Sequence, residues 1–264
     1  MARKIVITSG KGGVGKTTIT ANLGMMIASM NKRVVLFDMD IGLNNLDIVL
    51  GVENKVVYDI VDVIEGRCRA KQALIQHNIQ PTLFVMPSSH LTNQERITAR
   101  HIKSVIDELE QFFDFIIIDC PAGIDLGFHR AVYSCNEAIV ITTPHLSSIR
   151  DADKVVTLLT SYNMSNIRVL VNRVRGDMVL NGEMIDVNEV ANILKIKLIG
   201  AIPEDDDISS LSVIGETITY KSDSYKSFKL LTENLINGTN YIYDCTYKYS
   251  GFFGSIRRSL KRRV

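Results

Sequence analysis

The sequence predicts a doubly wound α/β fold, a mostly parallel sheet flanked by helices, and three observations carry that prediction. Short β-branched runs are apolar throughout rather than alternating, the signature of strands covered on both faces. Helical stretches recur between them, as the crossovers of a parallel sheet require. A glycine-rich stretch, GKGGVGKT at residues 10–17, stands between the first run and the first helix.

Taken in order, strands are expected at residues 5–8, 34–37, 83–86, 115–119, 138–142, 169–172 and 198–202. Helices are expected at 17–30, 99–112, 150–161, 187–195 and 224–237. No repeat, low-complexity segment or Pro/Ser-rich linker interrupts the chain before about residue 245, so the expected organisation is one domain, 1–245, and a tail, 246–264.

Of the 264 residues, 46% are hydrophobic and 22% charged, enough for a sizeable core and unlike a disordered chain. Cys68, Cys120, Cys135 and Cys245 form no CxxC pair and no zinc spacing, which reads as free thiols in a reducing compartment. MARKIVITSG lacks a signal-peptide profile, and no run approaches the ~18 apolar residues of a spanning helix, so a cytosol-like compartment is expected. The net charge of +1 hides an asymmetry. Arg257, Arg258, Lys261, Arg262 and Arg263 lie in the last fourteen residues, and without them residues 1–250 stand at −4. A mildly acidic body carries a basic tail, which points to an anionic partner for the tail alone.

GKGGVGKT fits GxxxxGK[ST] in the strand–loop–helix context that phosphate binding needs. Gly10, Gly12, Gly13 and Gly15, with Val14 among them, free the backbone to turn successive N–H groups inward onto phosphate oxygens. The helix that follows adds donors and partial positive charge at its N-terminus. Lys16 is expected on the β- and γ-phosphates, Thr17 on Mg²⁺, and Thr18 on the α-phosphate. Asp38 and Asp40 close the second strand and Asp119 the fourth, on the ligand edge of such a sheet. One carboxylate should hold a metal-bound water and another should orient the attacking water; Asp38 supports either the loop or the metal shell. Gly123 is the pivot expected of a loop that senses the γ-phosphate.

With Lys11 included, the loop KGGVGKTT resembles that of the deviant Walker A (ParA/MinD) family of P-loop ATPases. TSGKGGVGKTT, DMDIGLNNLD, VVYDIVDVIEG, PAGID, SSIRDADK, IPED and a terminal amphipathic stretch follow in the family's order, over nearly the whole chain. IGLNNLD, DIVDVIEG and SSIRDADK are similar to its septum-placing branch rather than to the partition branch. The resemblance implies ATP and Mg²⁺, and a sandwich homodimer in which Lys11 reaches the partner's nucleotide. It implies Asp119 in the metal's outer shell and Asp40 on the hydrolytic water. It places Asn172, Arg173, Pro203, Glu204 and Asp205 at the adenine. Ser148, Arg150, Asp151 and Asp153 would face a MinC-type inhibitor and a MinE-type activator. No specific nucleic acid is implied.

On a helical projection of GFFGSIRRSLKRRV, Phe252, Ile256, Leu260, Phe253 and Val264 fall within an arc of about 120°. Arg257, Arg258, Lys261 and Arg262 lie opposite, and Arg263 falls inside the apolar arc. The residues alone suit a helix lying in an anionic membrane surface, a nucleic-acid-binding end or a disordered one. The resemblance favours the membrane, with Phe252, Phe253, Ile256 and Leu260 as anchors and a location on the inner face of the cell membrane, or in the stroma for a plastid-encoded chain. Alternatives left open are a partition or flagellar-number ATPase with the same core, and a platform that holds ATP without hydrolysing it. An iron–sulfur reductase lacks its cysteine pair.

Overall fold

The computed structural model describes residues 1–42, 45–89, 97–164, 166–251 and 254. Eight strands form one sheet: β1 (Arg3–Thr8), β2 (Val34–Asp38), β3 (Ile75–Gln76), β4 (Leu83–Met86), β5 (Phe115–Asp119), β6 (Glu137–Thr142), β7 (Asn166–Val174) and β8 (Lys197–Pro203). Their order is β3-β4-β2-β5-β1-β6-β7-β8, parallel throughout except for antiparallel β3 at one edge. The helices are α1 (Lys16–Ser29), α2 (Leu46–Val49), α3 (Ile60–Ile64), α4 (Ala70–Ala73), α5 (Ala99–Leu109), α6 (Leu126–Val132), α7 (Leu146–Ser161), α8 (Gly176–Leu180), α9 (Val187–Leu194), α10 (Asp206–Val213) and α11 (Tyr225–Asn237).

The apolar strands divide their side chains between two cores by the period of two of extended chain. Ile5 and Ile7 pack with Leu23 and Ile27 of α1 and Phe228 and Leu231 of α11. Val6 between them packs on the other face with Ile102 and Ile106 of α5, Phe128 of α6 and Val155 of α7. Each such side chain, removed from water, contributes ~1.5–3 kcal/mol, so the two-layer arrangement follows from the strand composition. Gly24 lets α1 approach β2, since a Cβ there would stand 2.7 Å from Leu36.

All seven expected strands are present, and β3 adds an eighth of two residues. Three features differ from the expected elements. Helix α7 begins at Leu146, four residues before the expected start, because Ser147 and Ser148 lie inside its first turn rather than capping it. Helix α5 ends at Leu109 and tightens into a 3₁₀ turn, Glu110–Phe112. Helices α2, α3, α4, α6, α8 and α10 were not expected, being only four to eight residues long. Among the described residues no helix is long and apolar enough to cross a membrane. Phe252, Phe253, Ile256 and Leu260 lie outside the described residues.

Candidate functional site

The site gathers at the carboxyl ends of β1, β2 and β5, where chain order turns from one side of β1 to the other. Between β1 and α1 the chain takes left-handed conformations at Gly13 (φ 77°) and Gly15 (φ 97°). Gly15 caps α1 with no side-chain acceptor, and no acid occupies the first turn. The first amides of α1 are therefore left for an external anion. Lys16 is buried, and its ammonium reaches Ser9 Oγ at 3.1 Å. Ser9 Oγ in turn donates to the Lys11 carbonyl at 2.8 Å and so pins the loop.

Asp38 and Asp119 are register partners on adjacent strands, both 2% exposed. Burial, aided by the Asp38 charge, pushes Asp119 up to about 7 against the pull of the Thr17 hydroxyl and Lys16. The Thr20 hydroxyl stands 3.2 Å from Asp119 Oδ1 and 3.0 Å from the Lys16 carbonyl. Sequence reading missed Thr20; its signal was its place one turn beyond Thr17, on the same helix face. Asp38 accepts amides from Asp40 at 2.9 Å, Asn45 at 3.0 Å and Leu46 at 3.1 Å. Those bonds tie Asp38 to the loop after β2. Asp40 is half-buried; desolvation raises its carboxyl and the nearby Lys16 charge lowers it. The loop after β5 closes on the first, with the Gly123 amide on the Ser9 carbonyl at 3.3 Å and Gly123 at φ 88°.

A cleft of about 220 Å³ opens beside the loop, lined by Gly15, Thr18, Asn172, Arg173, Pro203, Glu204 and Asp205, with α10 along its far wall. All five residues expected at the base thus share one cavity with the phosphate loop. Asn172 Nδ2 donates to the Val14 carbonyl at 2.8 Å. Arg173, at φ 57°, holds the left-handed conformation at an irregularity of the β7–β8 ladder. Asp205 caps α10 through Asp207 N at 3.0 Å and accepts Ser224 N at 2.8 Å.

Lys11 is exposed and forms no ion pair among the described residues. It lines a second cleft of about 370 Å³ with Gly12, Thr143, His145 and Arg173. Arg150 and Asp153 are exposed on α7, and Asp151 is partly so. Ser148 departs from its expected surface role: it is 6% exposed and accepts the Thr143 hydroxyl at 2.9 Å. Helix α7 touches the phosphate loop directly, because a Cβ on Gly10 would stand 2.2 Å from the Asp151 carbonyl.

Mg²⁺ fits these groups. It takes oxygen ligands from substrate phosphates, waters and one or two protein groups, and Thr17 and Asp119 flank the loop, with the Lys16 charge acting on Asp119. A glycine loop at a helix N-terminus, a buried lysine and paired strand-end carboxylates define a P-loop nucleotide-binding protein. The description of the CobQ/CobB/MinD/ParA nucleotide binding domain matches residues 5–218. The chain is 47% identical over 223 residues to a putative septum site-determining protein MinD of Guillardia theta, covering 84% of this chain and 83% of that one. It is 46% identical over 220 residues to the septum site-determining protein MinD of Bacillus subtilis, covering 83% and 82%. Among solved structures, MinD in a MinC:MinD complex of Aquifex aeolicus superposes with a TM-score of 0.85 at 39% identity, over 92% of this chain and 100% of that one. MinD of Pyrococcus horikoshii with Mg-ADP gives 0.81 at 30% identity, over 89% and 96%. The chain belongs to the MinD family of CobQ/CobB/MinD/ParA nucleotide-binding proteins.

Proposed function

We propose that this chain is an ATP-driven switch for placing the division septum, an ATPase that dimerises on ATP, settles on an anionic membrane and recruits a MinC-type inhibitor there. Hydrolysis, accelerated by a MinE-type activator, returns it to the cytoplasm. The observation that carries this reading is the joint geometry of loop, carboxylates and base cleft around an exposed Lys11. Lys16 and the α1 amides hold the β- and γ-phosphates, and Mg²⁺ bound at Thr17 supplies charge neutralisation. Asp119 holds a water of the metal shell, and Asp40 orients the attacking water.

An unpaired lysine at the rim of its own site is available to a second chain's nucleotide, which links occupancy to dimerisation. Contact between Gly10 and the Asp151 carbonyl gives α7 a mechanical link to the loop, so its exposed Arg150 and Asp153 can present differently in the two nucleotide states. One amphipathic tail binds a bilayer marginally, because ordering costs roughly 1–2 kcal/mol per residue against the burial of a few apolar side chains. Two tails on one dimer increase avidity by roughly 10²–10⁴.

The test is liposome co-sedimentation and phosphate release with ATP, ADP and no nucleotide. Wild type should sediment only with ATP; Lys11→Ala should lose that dependence, and truncation after residue 250 should lose binding altogether. Equal sedimentation in all three nucleotide states refutes the switch. No phosphate release with lipid and activator present leaves a platform that holds ATP without hydrolysing it.

A further inference from the structure

At the opposite end of the sheet from the nucleotide, the amino edge of β4, β2 and β5 carries a slot of about 210 Å³ lined by Arg33, Lys71, Leu74, Phe84, Phe112 and Phe113. The five residues of β2 separate Arg33 from the phosphate site by roughly 16 Å. The Lys71 ammonium stands 3.2 Å over the Phe112 ring, and the Arg33 guanidinium lies 5.5 Å from the centre of Phe113. Phe84 meets Phe113 edge-on at 5.4 Å. Both cations are exposed, and neither side chain has an ion-pair partner among the described residues. Arg67 nearby, by contrast, is paired with Asp62 and Glu65. The adjacent Asp114 carboxylate takes the Arg33 backbone amide at 2.8 Å and leaves the guanidinium to the ring.

Aromatic faces under two unpaired cations hold those charges in place without neutralising them. We propose that the slot is a docking site for a short acidic segment of a partner protein, in which one apolar side chain enters the slot and carboxylates on either side meet Arg33 and Lys71. Two features select this occupant. The two charges lie over different rings of the lining, a pair that a peptide with carboxylates on both sides of an apolar residue can meet and a lipid, charged at one end, does not. The volume takes one large side chain rather than an acyl chain. The chain's own basic tail is excluded by charge.

The experiment is fluorescence anisotropy of a dye-labelled pentapeptide, Glu-Asp-Phe-Asp-Glu, titrated with the full-length protein. Saturable binding is expected. It should weaken at least tenfold for the peptide with alanine at its centre, for Gln-Asn-Phe-Asn-Gln, and for the Arg33→Ala/Lys71→Ala double variant. Lys71→Arg should retain it, and unchanged basal ATP hydrolysis in each variant shows the fold intact. Absence of saturation, equal binding of the neutral peptide, or an unaffected double variant overturns the proposal. Displacement of the peptide by soluble dihexanoylphosphatidylglycerol reassigns the slot to lipid and overturns it as well.

Discussion

Gly15 illustrates how one residue can serve backbone, neighbour and ligand together. Its φ of 97° strains any L side chain, and a Cβ would stand 2.7 Å from Asn172 Nδ2. Gly15→Ala therefore displaces the side chain that ties β7 to the Val14 carbonyl, at a cost of about 1–3 kcal/mol at the loop. Nucleotide affinity should fall on the order of 10–100-fold, read by titration with a fluorescent ATP analogue; an unchanged affinity would show that loop and base cleft are independent. Asp119 offers a second test, because its carboxyl lies at about 7 where the unfolded chain has 3.8. The folded, nucleotide-free protein holds a proton there that the unfolded chain releases, so stability from this group is greatest below pH 4 and falls as pH rises towards 7. Asp119→Asn should remove that slope and stabilise the apo protein at pH 8 by on the order of 1–3 kcal/mol, while ending Mg²⁺-dependent phosphate release. Thermal unfolding in EDTA at pH 5 and pH 8 reads the first effect, and a phosphate assay the second.

Helix α10 shows what a short element contributes. None of its residues is fully buried, Ile208 packs only partly buried against a core, and Ile208, Ser209 and Ser212 line the base cleft, so its position leans on its cap. Asp205 supplies that cap and also accepts the Ser224 amide at the start of α11. Asp205→Ala should cost ~1–2 kcal/mol of local stability and accelerate amide exchange across 206–213, whereas Asp205→Asn should retain most of the cap. Equal exchange in the two variants would discount the cap. The same helix marks the limit of what the sequence discloses. Long apolar strands such as β5 are legible because burial on both faces leaves no polar position, and the phosphate loop is legible because its glycines have few other uses. DDISSLSV carries no strong helical stripe, and a seven- or eight-residue helix sets a weak periodic signal. The burial of Ser148 was illegible for another reason: beside Arg150, Asp151 and Asp153 a serine reads as surface, and only the fold places it inside the first turn of α7, with Thr143 as partner.

Across the whole molecule, the end of the sheet remote from the nucleotide is held by a polar network as well as by the two cores. Glu137 at the start of β6 receives Arg3 of β1 at 2.7 Å on each oxygen, and Arg168 of β7 at 2.9 Å. Asn166 adds a bond at 2.9 Å, and Arg3 continues to the Leu235 carbonyl of α11. One carboxylate thus joins three strands and a helix. Desolvation alone would raise the Glu137 carboxyl; the Arg3 hydrogen bond, the two guanidinium charges and Asn166 outweigh it and hold the carboxyl below its ordinary 4.5. A lowered folded value means that this stability is fully present above about pH 4.5 and is lost as pH falls through the folded value. Glu137→Gln leaves Arg168, 10% exposed, without its counter-charge, and should cost ~2–4 kcal/mol at pH 7. The difference from wild type should shrink at pH 3.5, because below 4.5 the unfolded chain takes up a proton that the folded carboxyl resists. Urea unfolding at the two pH values measures both terms, and a difference that is constant with pH would mean that the charge contributes nothing beyond the hydrogen bonds. Nucleotide affinity should be unchanged under native conditions, since the network sits at Arg3 and the phosphate loop begins beyond Thr8, at the other end of the same strand.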